Sequence, residues 1–146
     1  MEWMKLLDEA VRYIEDNITE NIDADMVAKR INVSSSYFQR AFQIFSGYTV
    51  GEYIRARRLY LAATDIRSES TSVTEAAFKY GYETVEAFTK AFTRFHENSP
   101  SKAKHSSGTI KVFLPLKLEI AKYGGYEMDF VIEKEKDFTL IGFETA

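Results

Sequence analysis

The chain has 146 residues, a net charge of −3, and 45% hydrophobic against 28% charged residues, the size and balance of one ordinary soluble domain. It has no cysteine and only two histidines, His96 and His105, which excludes a disulfide framework, a thiolate zinc site and a cysteine nucleophile, and leaves little for a metal centre. The acidic total is not the basic excess usual in nucleic-acid binders, yet residues 1–30 carry a net −4 and residues 31–67 a net +3, so charge is segregated along the chain.

The first helix is expected over about residues 2–17, with Trp3, Leu6, Leu7, Ala10, Val11 and Ile14 on one stripe and Asp8, Glu9, Glu15 and Asp16 outside it. Trp3 reads as a packing residue. Asp23 caps a short second helix whose Met26, Val27 and Ile31 face inward. Lys29 and Arg30, at its end, either complement the helix dipole or meet a phosphate.

Ser34 or Ser35 caps a third helix with two contrasting faces. Phe38, Phe42 and Phe45 stand at i, i+4 and i+7 and form an apolar stripe, whereas Ser36, Gln39, Arg40 and Gln43 form a polar one. Gly47 ends this helix, and Thr49 caps a fourth over about residues 50–66, a length of about 25 Å. Ile54, Leu59, Leu61, Ala62 and Ile66 supply its apolar contacts. Its arginines, Arg55, Arg57 and Arg58, form a cluster within reach of phosphate.

Ser72 and Glu75 form a capping box that opens a fifth helix, with Val73, Ala76, Ala77 and Tyr80 apolar. Thr84 caps a sixth, and Ser99-Pro100 starts a last helical turn carrying Lys102 and Lys104, which are solvated or lie beside phosphate.

The sixth helix repeats the third fifty residues on. Phe88, Phe92 and Phe95 reproduce the aromatic stripe, and Glu86, Thr89, Lys90 and Thr93 the polar one. Upstream, residues 27–33 lie over 76–82, which puts Asn32 and Gly81 at the same place, where a left-handed residue stops one helix before the next. Each copy reads helix, tight turn, helix, the plan whose second helix enters the DNA major groove.

On the first such helix recognition falls to Ser36, Gln39 and Arg40, since Gln has the chemistry to pair with adenine and Arg with guanine, while the N-terminus capped by Ser34 or Ser35 offers N–H groups to phosphate. On the second, Val85 suits a thymine methyl and Glu86 the cytosine amino group, with Thr84, Thr89 and Lys90 beside them.

After Ser106-Ser107-Gly108 the helical period gives way to alternating or β-branched stretches at 109–113, 116–121, 128–133 and 139–143, read as strands with a turn near Gly124-Gly125.

The stretch from Ser34 to Gly47, the segment Gly51-Glu52-Tyr53-Ile54-Arg55-Ala56-Arg57-Arg58-Leu59, and Lys79-Tyr80-Gly81-Tyr82-Glu83 through Phe95 and Pro100 resemble the AraC/XylS family of bacterial transcription regulators, in its MarA/Rob type. The resemblance covers roughly residues 5–104, and Gln39 and Arg40 match the type directly. It implies a mainly α fold of two helix-turn-helix subdomains joined by a long helix. It also implies sequence-specific binding of double-stranded DNA by a monomer, through Ser35, Ser36, Gln39, Arg40 and Gln43 and through Thr84, Val85, Glu86, Thr89 and Lys90. Arg55, Arg57, Lys102 and Lys104 are candidate phosphate contacts, although in the family the segment equivalent to Arg55-Ala56-Arg57-Arg58 also packs and pairs within the protein.

Further expectations are contact with RNA polymerase, no cofactor and no metal, and action in the cytoplasm, since no stretch reads as a secretory signal or a membrane span. Residues 1–106 form the DNA-binding domain on this reading. Residues 107–146, through Pro115-Leu116-Lys117-Leu118, Phe130-Val131-Ile132 and Leu140-Ile141-Gly142-Phe143, resemble the start of the effector-binding domain of Rob-type regulators. The chain would then be the front part of a longer regulator that senses a small molecule; the alternative is a small self-contained sheet packed on the helices. A ligand-binding sensor using Tyr123 and Tyr126 is the second functional reading. No nucleophile elbow or phosphate loop supports an enzyme.

Overall fold

The computed structural model of the chain describes residues 2–105, 108–118 and 130–131. Among them are seven helices, α1 (Glu2–Asp16), α2 (Ala24–Arg30), α3 (Ser35–Ser46), α4 (Val50–Arg67), α5 (Val73–Lys79), α6 (Val85–His96) and α7 (Pro100–Ala103), and two short strands, β1 (Lys117–Leu118) and β2 (Phe130–Val131).

Six helices start at a side chain suited to capping. Asp23, Ser34, Thr49, Ser72, Thr84 and Ser99 each accept a hydrogen bond from the backbone N–H three residues on. Such a cap is worth about 1 kcal/mol. Ser34, not Ser35, takes this role for α3. The capping box expected at Ser72–Glu75 is present, and a second one closes at Thr49–Glu52.

The two tight turns agree bond for bond. Asn32 and Gly81 both have positive φ, 62° and 89°, and behind them Val33 N–H donates to Ala28 O at 3.1 Å and Tyr82 N–H to Ala77 O at 2.9 Å. The ends of α3 and α6 match as well: Gly47 and Glu97 are left-handed and donate to Gln43 O at 2.9 Å and Thr93 O at 2.8 Å.

The aromatic stripes face inward: Phe38, Phe42, Phe88 and Phe92 are fully buried, with Phe45 and Phe95 half-buried at the margin. Met26 was expected inside and instead lies 42% exposed, because Val27, Ala28 and Ile31 already fill the inner face of the seven-residue α2. Trp3 packs against Tyr37 and Phe45, with ring centroids at 5.2 and 6.2 Å.

α4 is the axle. Its buried residues, among them Tyr53, Ile54, Leu59, Ala62, Ala63 and Ile66, fall on all sides, as a helix that touches α3, α5, α6 and α7 requires. One continuous apolar core therefore serves both helix-turn-helix units.

Residues 108–116 run as an irregular strap across this body in place of the strand expected at 109–113. The strap's backbone groups find side-chain partners where a strand would find a ladder. Arg67 donates to Gly108 O, Asn98 Nδ2 to Thr109 O at 2.9 Å, and Arg57 Nη1 to Phe113 O; Lys111 N–H donates to His96 Nδ1 at 2.9 Å and Leu116 N–H to the Tyr53 hydroxyl at 2.9 Å. Phe113 and Leu116 belong to the common core, so the packed helical body extends past the boundary expected at residue 106. Beyond the strap, β1 pairs antiparallel with β2, Lys117 opposite Val131 and Leu118 opposite Phe130. The remainder of the expected strands, including 139–143, and the turn at Gly124-Gly125 lie outside the described residues.

Candidate nucleic-acid interface

The outer face of α3 carries Ser36, Gln39, Arg40 and Gln43, all exposed. Ser35 is different: it is half-buried, its hydroxyl donates to the Asp25 carboxylate of α2, and it accepts from Gln39 Nε2 at 2.9 Å. The chain Asp25–Ser35–Gln39 thus orients the glutamine from the preceding helix. The Ser35 hydroxyl, expected to face a partner, is engaged on both sides within the chain.

On α6 the residues Val85, Glu86, Thr89, Lys90, Thr93 and Arg94 line one shallow groove along the helix. Glu86, Lys90, Thr93 and Arg94 are exposed, and Val85 and Thr89 half-buried. Thr84 is exposed, but its hydroxyl is occupied as the helix cap, accepting from Ala87 N–H at 3.0 Å. Repeat position by position, Ser36 stands over Glu86, Gln39 over Thr89 and Arg40 over Lys90, so both helices present a cation at the same place while the first position changes from neutral to acidic.

The arginines of α4 divide. Arg57, a candidate phosphate contact from sequence, is instead a core tie: it is 4% exposed and paired with Glu15 at 2.6 Å, with a further bond to Phe113 O. Arg58 donates to Ile18 O at 2.8 Å and Glu20 O at 2.6 Å, fastening the loop after α1, and burial lowers its pKa from the usual arginine range. Arg67 holds Ala103 O at 3.0 Å. Arg55 alone of the three clustered arginines is exposed. Lys102 and Lys104 are exposed on and after α7, and Arg30 lies over the Tyr13 ring at 5.7 Å.

Arg94 was missed in the sequence reading, which ended the polar stripe at Thr93. The spacing Glu86, Lys90, Arg94, each four residues apart on one helix, was the available signal. The exposed Tyr37 and Ile44 on α3, 52% and 72% accessible, were also missed, because an apolar residue beside a polar stripe carries no sign of which side it joins.

Comparison with known proteins bears on this arrangement. The family described as "Helix-turn-helix domain" matches residues 27–106, and the Regulatory protein SoxS of Escherichia coli (strain K12) is 32% identical over 105 residues, 72% of this chain and 98% of SoxS. The chain belongs to the AraC/XylS family of helix-turn-helix transcription regulators.

The AraC-type regulator of Chromobacterium violaceum has the same fold, with a TM-score of 0.66 at 23% identity over 70% of this chain and 92% of that one. The DNA-binding domain of AdpA, solved in complex with a target DNA, matches with a TM-score of 0.62 at 24% identity over 67% of this chain and 88% of that one. The family's activity is DNA-binding regulation of transcription and not catalysis. Among the described residues no helix is long and apolar enough to cross a membrane, and no three metal-ligating side chains cluster.

Proposed function

We propose that the chain reads an asymmetric DNA site as a monomer, with α3 and α6 in two consecutive major grooves. The observation that carries this reading is the repeat itself. Two reading helices with matching caps, turns and buried aromatic stripes share one core with a single connecting helix. Gln39 and Arg40 would supply direct readout from α3, with Ser36 and Gln43 beside them, and Thr89, Lys90 and Val85 from α6, where Glu86 would select against bases that offer it only acceptors. Arg55, Lys102, Lys104 and Arg94 are the exposed cations suited to phosphate.

At 18 residues, α4 is about 27 Å long, shorter than the about 34 Å between successive major-groove faces, which favours a site that bends toward the protein. Family membership further supports contact with RNA polymerase, action in the cytoplasm, and control by a small molecule through a C-terminal domain.

Selection of bound sequences from a random duplex library by the purified chain tests the reading. Two unlike blocks about one helical turn apart, bound at one protein per duplex, are expected. A palindromic site bound by two proteins, or no enrichment at all, would overturn it.

A further inference from the structure

Between α4, α6 and the strap lies an open cleft of about 630 Å³, inside the range of about 300–1,000 Å³ usual for small-ligand sites. Its apolar floor is made by Leu59, Phe95 and Phe113. Three cations stand around it, Arg55, Arg94 and Lys111, against the carboxylates of Glu52 and Glu97. Glu52 is already committed, accepting from Thr49 N–H at 2.9 Å to close the capping box of α4. Among the described residues neither Arg55 nor Arg94 is in an ion pair, and the Lys111 ammonium lies 4.8 Å over the Phe95 ring at the edge of the floor. Cations beside an aromatic side chain suit an anion carried on a flat apolar body, such as an aromatic carboxylate.

We propose that this cleft binds a small aromatic carboxylate, whose anionic end is held by Arg94 and Lys111 while its ring lies against Phe95, above the buried Leu59 and Phe113. Arg94 also lines the outward groove of α6, so a bound anion draws one cation away from that face. This consequence rests on the DNA-reading function above; the binding does not. The helical body thereby carries an effector site of its own, distinct from any domain that follows.

The probe is 1-naphthoate, titrated calorimetrically into the full chain, with 1-naphthalenemethanol as its uncharged counterpart. Binding of one naphthoate per chain, at least tenfold weaker for the alcohol and for Lys111→Glu, is expected. Lys111 is exposed and its bond to His96 uses the backbone N–H, so the variant should melt like the parent. Equal affinity for acid and alcohol, or undiminished binding by a normally folded Lys111→Glu, overturns the site.

In saturating naphthoate the affinity for the selected duplex should fall at least threefold, and not in Lys111→Glu. No change there overturns the coupling through Arg94. Because the coupling is reciprocal, duplex should weaken naphthoate by the same modest factor; abolition of naphthoate binding by every duplex would instead make the cleft a seat for DNA phosphate and overturn the ligand assignment. A chain that takes naphthoate as described yet binds no duplex supports the site and removes the DNA reading alone.

Discussion

Glu15 on α1 and Arg57 on α4 meet at 2.6 Å across 42 residues of sequence, with the guanidinium almost wholly buried. Through its bond to Phe113 O the same arginine holds the strap, so one side chain ties three parts of the body together. Removing one member of a buried pair leaves a charge without compensation. Glu15→Ala should therefore cost about 3 kcal/mol, the lower end of the usual range because Glu15 keeps 27% exposure. Urea unfolding measures it. A Glu15→Ala chain of parental stability would show that Arg57 is not held as described.

Arg40 stands on the opposite side of the distinction. Arg40→Ala should weaken binding to the selected duplex by about 1–3 kcal/mol and relax one base position, with the melting temperature unchanged. Phe42→Ala, on the buried face of the same helix, should destabilise the fold by about 3–5 kcal/mol. Paired binding and unfolding curves separate the two. Loss of DNA affinity by both variants, with normal folding in both, would mean that the faces of α3 are misassigned.

The bond from Gln39 Nε2 to Ser35, itself tied to Asp25, makes a graded prediction. Gln39→Ala should lose about 1–3 kcal/mol of discrimination at one base position. Ser35→Ala should lose a smaller amount at that same position, since the glutamine remains but is no longer oriented. Affinities on duplexes substituted one position at a time report both. A Ser35→Ala defect spread evenly over all positions would make Ser35 a backbone contact instead.

Much of this was legible because it is local. Caps, left-handed turn residues and the stripes of α3 and α6 depend on neighbours within about one or two helical turns, and the repeat doubled each signal. The arginines of α4 were not legible. Arg55 and Arg57 differ by about 200° around a helix, so letters two apart in one basic cluster point to solvent and to core. What decides between them lies at Glu15 and Phe113, far away in sequence. The strap misled for a related reason: residues 109–113 have the β-branched composition of a strand, but backbone groups of Thr109, Lys111 and Phe113 pair with the side chains of Asn98, His96 and Arg57.

Gly81 and Asn32 offer a test of the turns. At φ 89° an added Cβ at Gly81 would meet Arg58 only at an ordinary contact of 3.6 Å, so the strain of Gly81→Ala is in the backbone. A cost of about 1–2 kcal/mol is expected. Asn32→Gly, at φ 62°, should change stability by less than that, and thermal melts of the two variants give the comparison. Equal losses would point to side-chain contacts of Asn32 and not to turn geometry.

His96 fixes the pH dependence. Its ring is 3% exposed and both nitrogens are engaged: Nε2 with Leu59 O at 2.9 Å, as donor, and Nδ1 with the N–H of Lys111 at 2.9 Å, as acceptor. Only the neutral ring satisfies both, and burial pushes its pKa down to about 4. As pH falls through about 6.5 the unfolded chain takes up a proton that the folded chain refuses, so folding stability is full above that pH and declines toward about 4. The whole decline should amount to about 3 kcal/mol, levelling off below the folded pKa. Because His96 joins α4 to the strap, its loss should be felt first as release of residues 108–116, seen as a lower amide protection factor at Lys111 in acid, after correction for the intrinsic exchange rate. His96→Gln should flatten this part of the stability profile. An unchanged slope in the variant would assign the acid sensitivity to carboxylates elsewhere.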